Sequence, residues 1–168
     1  MAGKLAIDVA MDGETWVVAL KGAIDEDAEL STGLKGVSGR VRFEMAAVSG
    51  INSCGVREWI NVLREMDGRV MAIEYASVSV PMVQQFNMIL NARGIGKVMS
   101  FFAPYFCGAC RKPREMLLKI EEHKELQKVG ELAAPARKCP QCDQELEFDE
   151  IDEKYLNFLD LQLKEKRR

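Results

Sequence analysis

A chain of 168 residues, 48% hydrophobic and 29% charged, has the balance of a globular protein with a core. It is too apolar for disorder and too short for a large multidomain enzyme. Lys and Arg total 23 against 26 Asp and Glu, a net charge of −3 with a pI of about 5.4, which argues against a general electrostatic grip on nucleic acid or an anionic membrane.

Two apolar stretches, Leu5–Val9 and Thr15–Leu20, flank Met11-Asp12-Gly13-Glu14 and predict a β-hairpin. Lys21-Gly22-Ala23-Ile24-Asp25 ends the second strand, and Asp25 is placed to cap a helix running through Leu34. Arg40–Val48 alternates as a strand on Val41, Phe43 and Met45. Asn52-Ser53-Cys54-Gly55 then opens a helix whose apolar positions Val56, Trp59, Ile60, Leu63 and Met66 follow helical spacing, with Asp67-Gly68 as its stop. Val70–Tyr75 reads as a strand. Ser79-Val80-Pro81 starts the next helix, with Val83, Phe86, Ile89 and Leu90 as its buried stripe and Gly94 past its end. Lys97–Phe106 completes the series as one strand. This order predicts an α/β fold with a mixed, mostly parallel sheet and crossover helices.

The N-terminal Met1–Asp8 carries an acid where a secretion signal needs apolar residues. The longest apolar run, Met99–Phe106, is interrupted by Ser100 and Pro104 and is far shorter than a membrane span. A cytoplasmic protein is expected. Charge density then divides the chain. Residues 1–106 carry 22 charged side chains, whereas the 62 residues from Cys107 onward carry 27. The expected organisation is a core domain over residues 1–106, a cysteine module over 107–150, and an amphipathic helix with a basic tail over 151–168. In the polar part, Glu121–Lys128 reads as a helix. Glu150–Lys166 reads as another, with Ile151, Tyr155, Phe158, Leu159 and Leu163 on or near one face. Met82, Met88 and Met99, among nine methionines, read as core filling.

Four of the five cysteines form two pairs of identical spacing, Cys107-Gly-Ala-Cys110 and Cys139-Pro-Gln-Cys142. A Cys-x-x-Cys turn presents two thiolates from one tight knuckle, and two knuckles close a tetrahedron around a soft cation. Strand-like flanks at Phe101–Phe106, Met116–Ile120 and Glu145–Phe148 make the arrangement similar to a zinc ribbon, and one structural Zn²⁺ per chain is expected at Cys107, Cys110, Cys139 and Cys142. A redox pair would need its second cysteine inside a helix begun at the first, which Pro113 opposes. Catalytic zinc would need an open position that four thiolates do not leave. Cys54 reads as a small buried residue. His123, the single histidine, lies in the charged run Glu121–Glu125, so no histidine-based triad exists. Arg93-Gly94-Ile95-Gly96-Lys97 lacks the spacing of a phosphate loop. No enzymatic constellation emerges, and a non-catalytic protein is expected.

Leu20-Lys21-Gly22-Ala23-Ile24-Asp25 and Val48-Ser49-Gly50-Ile51-Asn52-Ser53-Cys54-Gly55-Val56 resemble the STAS domain of bacterial anti-anti-sigma factors. That family has a Gly-x-hydrophobic-Asp approach to its first helix and a hydrophobic-Asp-Ser-Ser-Gly turn opening its second. The resemblance extends in element order over residues 1–106. It implies a STAS-like sheet and a regulatory protein that binds partners at the second turn, where phosphorylation of the second Ser switches binding. Here Asn52 stands at the Asp position and Cys54 at the phosphorylated Ser, while Ser53 retains a hydroxyl one position away. The resemblance therefore implies a partner surface at Asn52, Ser53, Cys54, Gly55, Arg57 and Glu58 whose phosphorylation switch is lost, Ser53 being the remaining candidate for phosphorylation.

Two functions follow. One is a regulatory or scaffolding module that docks on a protein partner, the ribbon acting as stabiliser or second interface. The alternative is a zinc-ribbon nucleic-acid binder using Arg111, Lys112, Arg114, Arg137 and Lys138 beside the knuckles. Glu145, Glu147, Asp149 and Glu150 lie as close in sequence and offset them.

Overall fold

Alternating apolar side chains build the larger of two sheets in the computed structural model, which describes residues 4–168. Met1–Gly3, part of the stretch read as lacking a secretion signal, lie outside the described residues. The five strands are β1 (Ala6–Asp12), β2 (Thr15–Ile24), β3 (Gly39–Ile51), β4 (Val70–Ala76) and β5 (Lys97–Val98), adjacent in that order. Only β1 and β2 pair antiparallel, and β2 through β5 are parallel neighbours. Helices α1 (Leu30–Gly33), α2 (Ser53–Met66) and α3 (Val80–Met88) lie in the three crossovers. Successive right-handed crossovers that all advance in one direction put their helices on one face of a sheet. The burial pattern agrees. Val18, Leu20, Val41, Phe43, Met45, Ile73 and Tyr75 are buried with Trp59, Val62 and Met66 of α2. On the opposite face Arg42 and Glu74 pair at 3.4 Å, each about one third exposed.

An aromatic cluster centres this core. Phe43 meets Trp59 edge-on at 5.2 Å and stacks on Tyr75 at 5.8 Å, and Tyr75 touches Phe86 at 5.1 Å. Such pairs add about 0.5–1.5 kcal/mol beyond their burial. The buried polar tips are satisfied by the loop after α3. Trp59 donates to the carbonyl of Ala92 (2.7 Å) and Tyr75 to that of Arg93 (2.8 Å).

A second, antiparallel sheet has β6 (Ser100–Cys107) between β7 (Lys112–Lys119) and β8 (Glu147–Phe148). The chain closes with α4 (Asp152–Tyr155) and α5 (Asn157–Lys166). The expected α/β fold with a mixed sheet is present.

Several elements differ from expectation. The strand expected over Lys97–Phe106 is two strands in different sheets, parted at Met99, whose N–H bonds to the carbonyl of Tyr75 while its carbonyl accepts from Ile120. Asp25 does not cap a helix. Its carboxylate accepts the N–H of Asp27 (3.0 Å), and Glu29 adopts φ +47°, so helical structure waits until Leu30. α3 ends at Met88, so Leu90 turns outward and Met88 is exposed instead of filling the core. In α2, Val62 is fully buried whereas Ile60 and Leu63 are half-buried. The helix expected over Glu121–Lys128 is two single 3₁₀ turns, Ile120–Glu122 and Lys124–Leu126. The C-terminal helix starts at Asp152, which leaves Ile151 exposed, and breaks at Leu156.

Candidate functional site

Both cysteine pairs sit at the tips of antiparallel hairpins. Cys107 ends β6 opposite Lys112 of β7, so Cys107–Cys110 is the turn between them. Lys138 and Glu145 form a second antiparallel bridge that brackets Cys139–Cys142. The knuckles share a backbone device: the residue after each second cysteine has positive φ, +53° at Arg111 and +60° at Asp143. That bend returns the chain while N–H groups point back at the first sulfur of the pair, as Cys110 does to Cys107 at 3.4 Å. No helix begins at Cys107 or contains Cys110, so the arrangement of a thiol redox site is missing.

All four sulfurs lie within 4.8 Å of one another. Cys107 and Cys142 are 3.5 Å apart, Cys110 and Cys139 3.9 Å. A tetrahedron with metal–sulfur bonds of about 2.3 Å has edges of about 3.8 Å. The four cysteines are positioned to bind one metal ion, and as a closed set they leave no position for a reacting water.

Their ionisation shows why a cation suits them. The Gln141 N–H directed at the Cys139 sulfur, aided by that of Cys142 and against the cost of burial, pulls this thiol down to about 6. The Gln144 N–H favours the Cys142 thiolate, but the Cys110 sulfur, burial, and the Cys107 and Cys139 sulfurs outweigh it and push that thiol up to about 12. The first negative charge opposes the rest, and a central cation removes the opposition.

In the large sheet, Asn52 follows the end of β3 and caps α2. Its Oδ1 accepts the N–H of Gly55 at 2.8 Å, and its Nδ2 donates to Glu26 at 2.8 Å, which holds the Glu26 carboxyl below its ordinary value. Gly55 is buried, and a Cβ on it would lie 1.9 Å from the carbonyl oxygen of Ile24, so this turn accepts glycine alone. Asn52, Ser53 and Arg57 are exposed, whereas Cys54 and Glu58 are half-buried. Glu26 also lines a shallow, mostly acidic depression with Asp25, Asp27, Glu29 and Lys4, the last two paired at 2.6 Å.

Of the basic residues near the knuckles, Lys138 pairs with Asp143 at 3.3 Å and Arg114 turns toward Gln141. Arg111 and Lys112 are exposed and Arg137 is half-buried. His123 and Cys54 stand outside the sulfur cluster. Three polar anchors escape a reading of apolar spacing. Gln162 closes a two-way clamp on β5, accepting from Val98 N–H (2.7 Å) and donating to its carbonyl (3.0 Å). Asn87 joins α3 to the break between α4 and α5, and Arg93 is buried against Gly96 and Glu165. The one signal for Gln162 is a polar residue beside Phe158 and Leu159 at helical spacing. No protein-family model matches this chain, and no curated protein matches it. Among the described residues no helix is long and apolar enough to cross a membrane.

Proposed function

We propose that this chain is a non-catalytic regulatory or scaffolding module of the STAS type, carrying one structural zinc at Cys107, Cys110, Cys139 and Cys142. The observation that carries this reading is the start of α2. Its backbone demands are met internally by Asn52 and Gly55, yet Asn52, Ser53 and Arg57 stay exposed there. An outward helix N-terminus flanked by the exposed Ser53 and Arg57 side chains suits recognition by a protein partner. Glu26 beside Asn52 supports a phosphate-independent contact, because phosphate on Ser53 would join an already acidic neighbourhood. For the metal, a closed set of four thiolates favours zinc among common cations.

The test is affinity for the partner recovered from native cytoplasm. Ser53→Asp and Arg57→Glu weaken binding without unfolding the chain, and Lys166→Glu in the tail does not. If both turn variants bind like wild type, the docking reading fails. Salt-sensitive binding to duplex or single-stranded nucleic acid would favour the alternative instead, although two of its five basic residues are engaged within the protein.

A further inference from the structure

Arg114 lies on β7 opposite Tyr105 of β6, two residues along from the Cys107–Lys112 pair. Residues two apart on a strand share a face, so Arg114 projects from the same face as Cys107. The side chain is half-buried, and its Nη2 donates to the side chain of Gln141, which lies between Cys139 and Cys142. Its Nε is buried and has no hydrogen-bond partner among the described residues. An unpartnered buried donor on a permanent cation is costly unless an anion faces it. The anions at hand are the cysteine sulfurs.

Four thiolates around a divalent cation leave a net charge of −2. We propose that Arg114, held against the second knuckle through Gln141, is the positioning residue that neutralises this excess and lowers the reactivity of the cysteine sulfurs toward electrophiles. This rests on the metal-binding reading above. Partners beyond the ligands commonly tune a bound metal, and charge-assisted donors to sulfur withdraw the electron density a nucleophile needs. It also reassigns Arg114, which stabilises the cysteine cluster instead of contacting phosphate.

Iodoacetamide is a neutral probe, so its approach is not steered by the charge at position 114. A cysteine sulfur displaces iodide and forms an S–CH2 bond, and each alkylated ligand weakens the metal's hold. The full-length zinc-loaded chain is mixed with iodoacetamide and a chromophoric chelator, and zinc release is timed for wild type, Arg114→Gln, Arg114→Lys and the exposed control Lys112→Gln. Arg114→Gln should release zinc at least about fivefold faster, the equivalent of about 1 kcal/mol. Arg114→Lys should recover most of the protection, and Lys112→Gln should match wild type. Replacing zinc by Co²⁺ gives a readout that a purely structural role would not move: Arg114→Gln should shift the sulfur-to-cobalt charge-transfer absorption to longer wavelength. A folded, zinc-bound Arg114→Gln with wild-type release and absorption overturns the proposal while leaving the metal site intact. If Arg114→Gln does not fold, the neutral Arg114→Met decides by the same two readouts: faster release with absorption shifted to longer wavelength supports charge neutralisation, and wild-type release and absorption overturn it. A wild-type chain that takes up no metal overturns the metal reading and this inference together.

Discussion

Asn52 uses both ends of one amide, accepting the Gly55 N–H and donating to Glu26, each at 2.8 Å. Aspartate at this position would keep the first bond and lose the second, and would set two carboxylates against each other. The pH dependence follows by sign. In the wild type the Asn52 amide lowers the Glu26 carboxyl below its ordinary 4.5. That contribution to stability is present above the ordinary value and lost as pH falls through the folded one. In Asn52→Asp the folded carboxyl rises instead, so the variant loses stability as pH increases. The gap between their urea midpoints should therefore widen from about pH 3 to about pH 7. A gap independent of pH would show that Glu26 and residue 52 do not interact. Gly55 shows a second residue-scale constraint. The close approach of α2 to Ile24 explains a glycine where helix propensity alone favours alanine.

At the scale of elements, side-chain amides join segments that apolar packing alone would leave loose. Asn87 donates to the carbonyl of Tyr155 and accepts the N–H of Phe158, both at 2.8 Å, across the break at Leu156. Replacing it by alanine orphans one acceptor and one donor in a part-buried site, so Asn87→Ala should lower unfolding stability by about 2 kcal/mol. The check is urea denaturation beside metal analysis, with metal content unchanged. A loss below about 0.5 kcal/mol would mean that water replaces both bonds. The same elements show what a sequence discloses. β3 was legible because Val41, Phe43 and Met45 alternate, and α2 because Val56, Trp59 and Met66 recur at helical spacing. The passage from β5 to β6 was not. Val98, Met99, Phe101 and Phe102 run on with only Ser100 among them and no turn residue, and only tertiary hydrogen bonding assigns the two sides of Met99 to different sheets. The start of α1 was misread because the Asp25 carboxylate bonds two residues ahead in a turn, a use of aspartate that competes with capping.

Across the whole molecule, the second sheet couples the cysteine cluster to the rest of the chain through its central strand. β6 ends in Cys107, and the Tyr105 side chain on it donates to the Pro135 carbonyl at 2.7 Å and packs edge-on against Phe148. Phe148 in turn meets Tyr155, whose hydroxyl donates to the carbonyl of Phe102 at 2.7 Å. The identical spacing of the cysteine pairs made the ligand set legible. Arg114 was hidden because its placement depends on the register of β7 against β6. The central claim is that these four sulfurs hold one zinc ion, and elemental analysis of purified full-length protein expressed with ample zinc tests it most directly. About one zinc per chain in the wild type and none in Cys139→Ser/Cys142→Ser is the predicted result. A wild-type chain without zinc, or a double variant that retains it, would contradict the account.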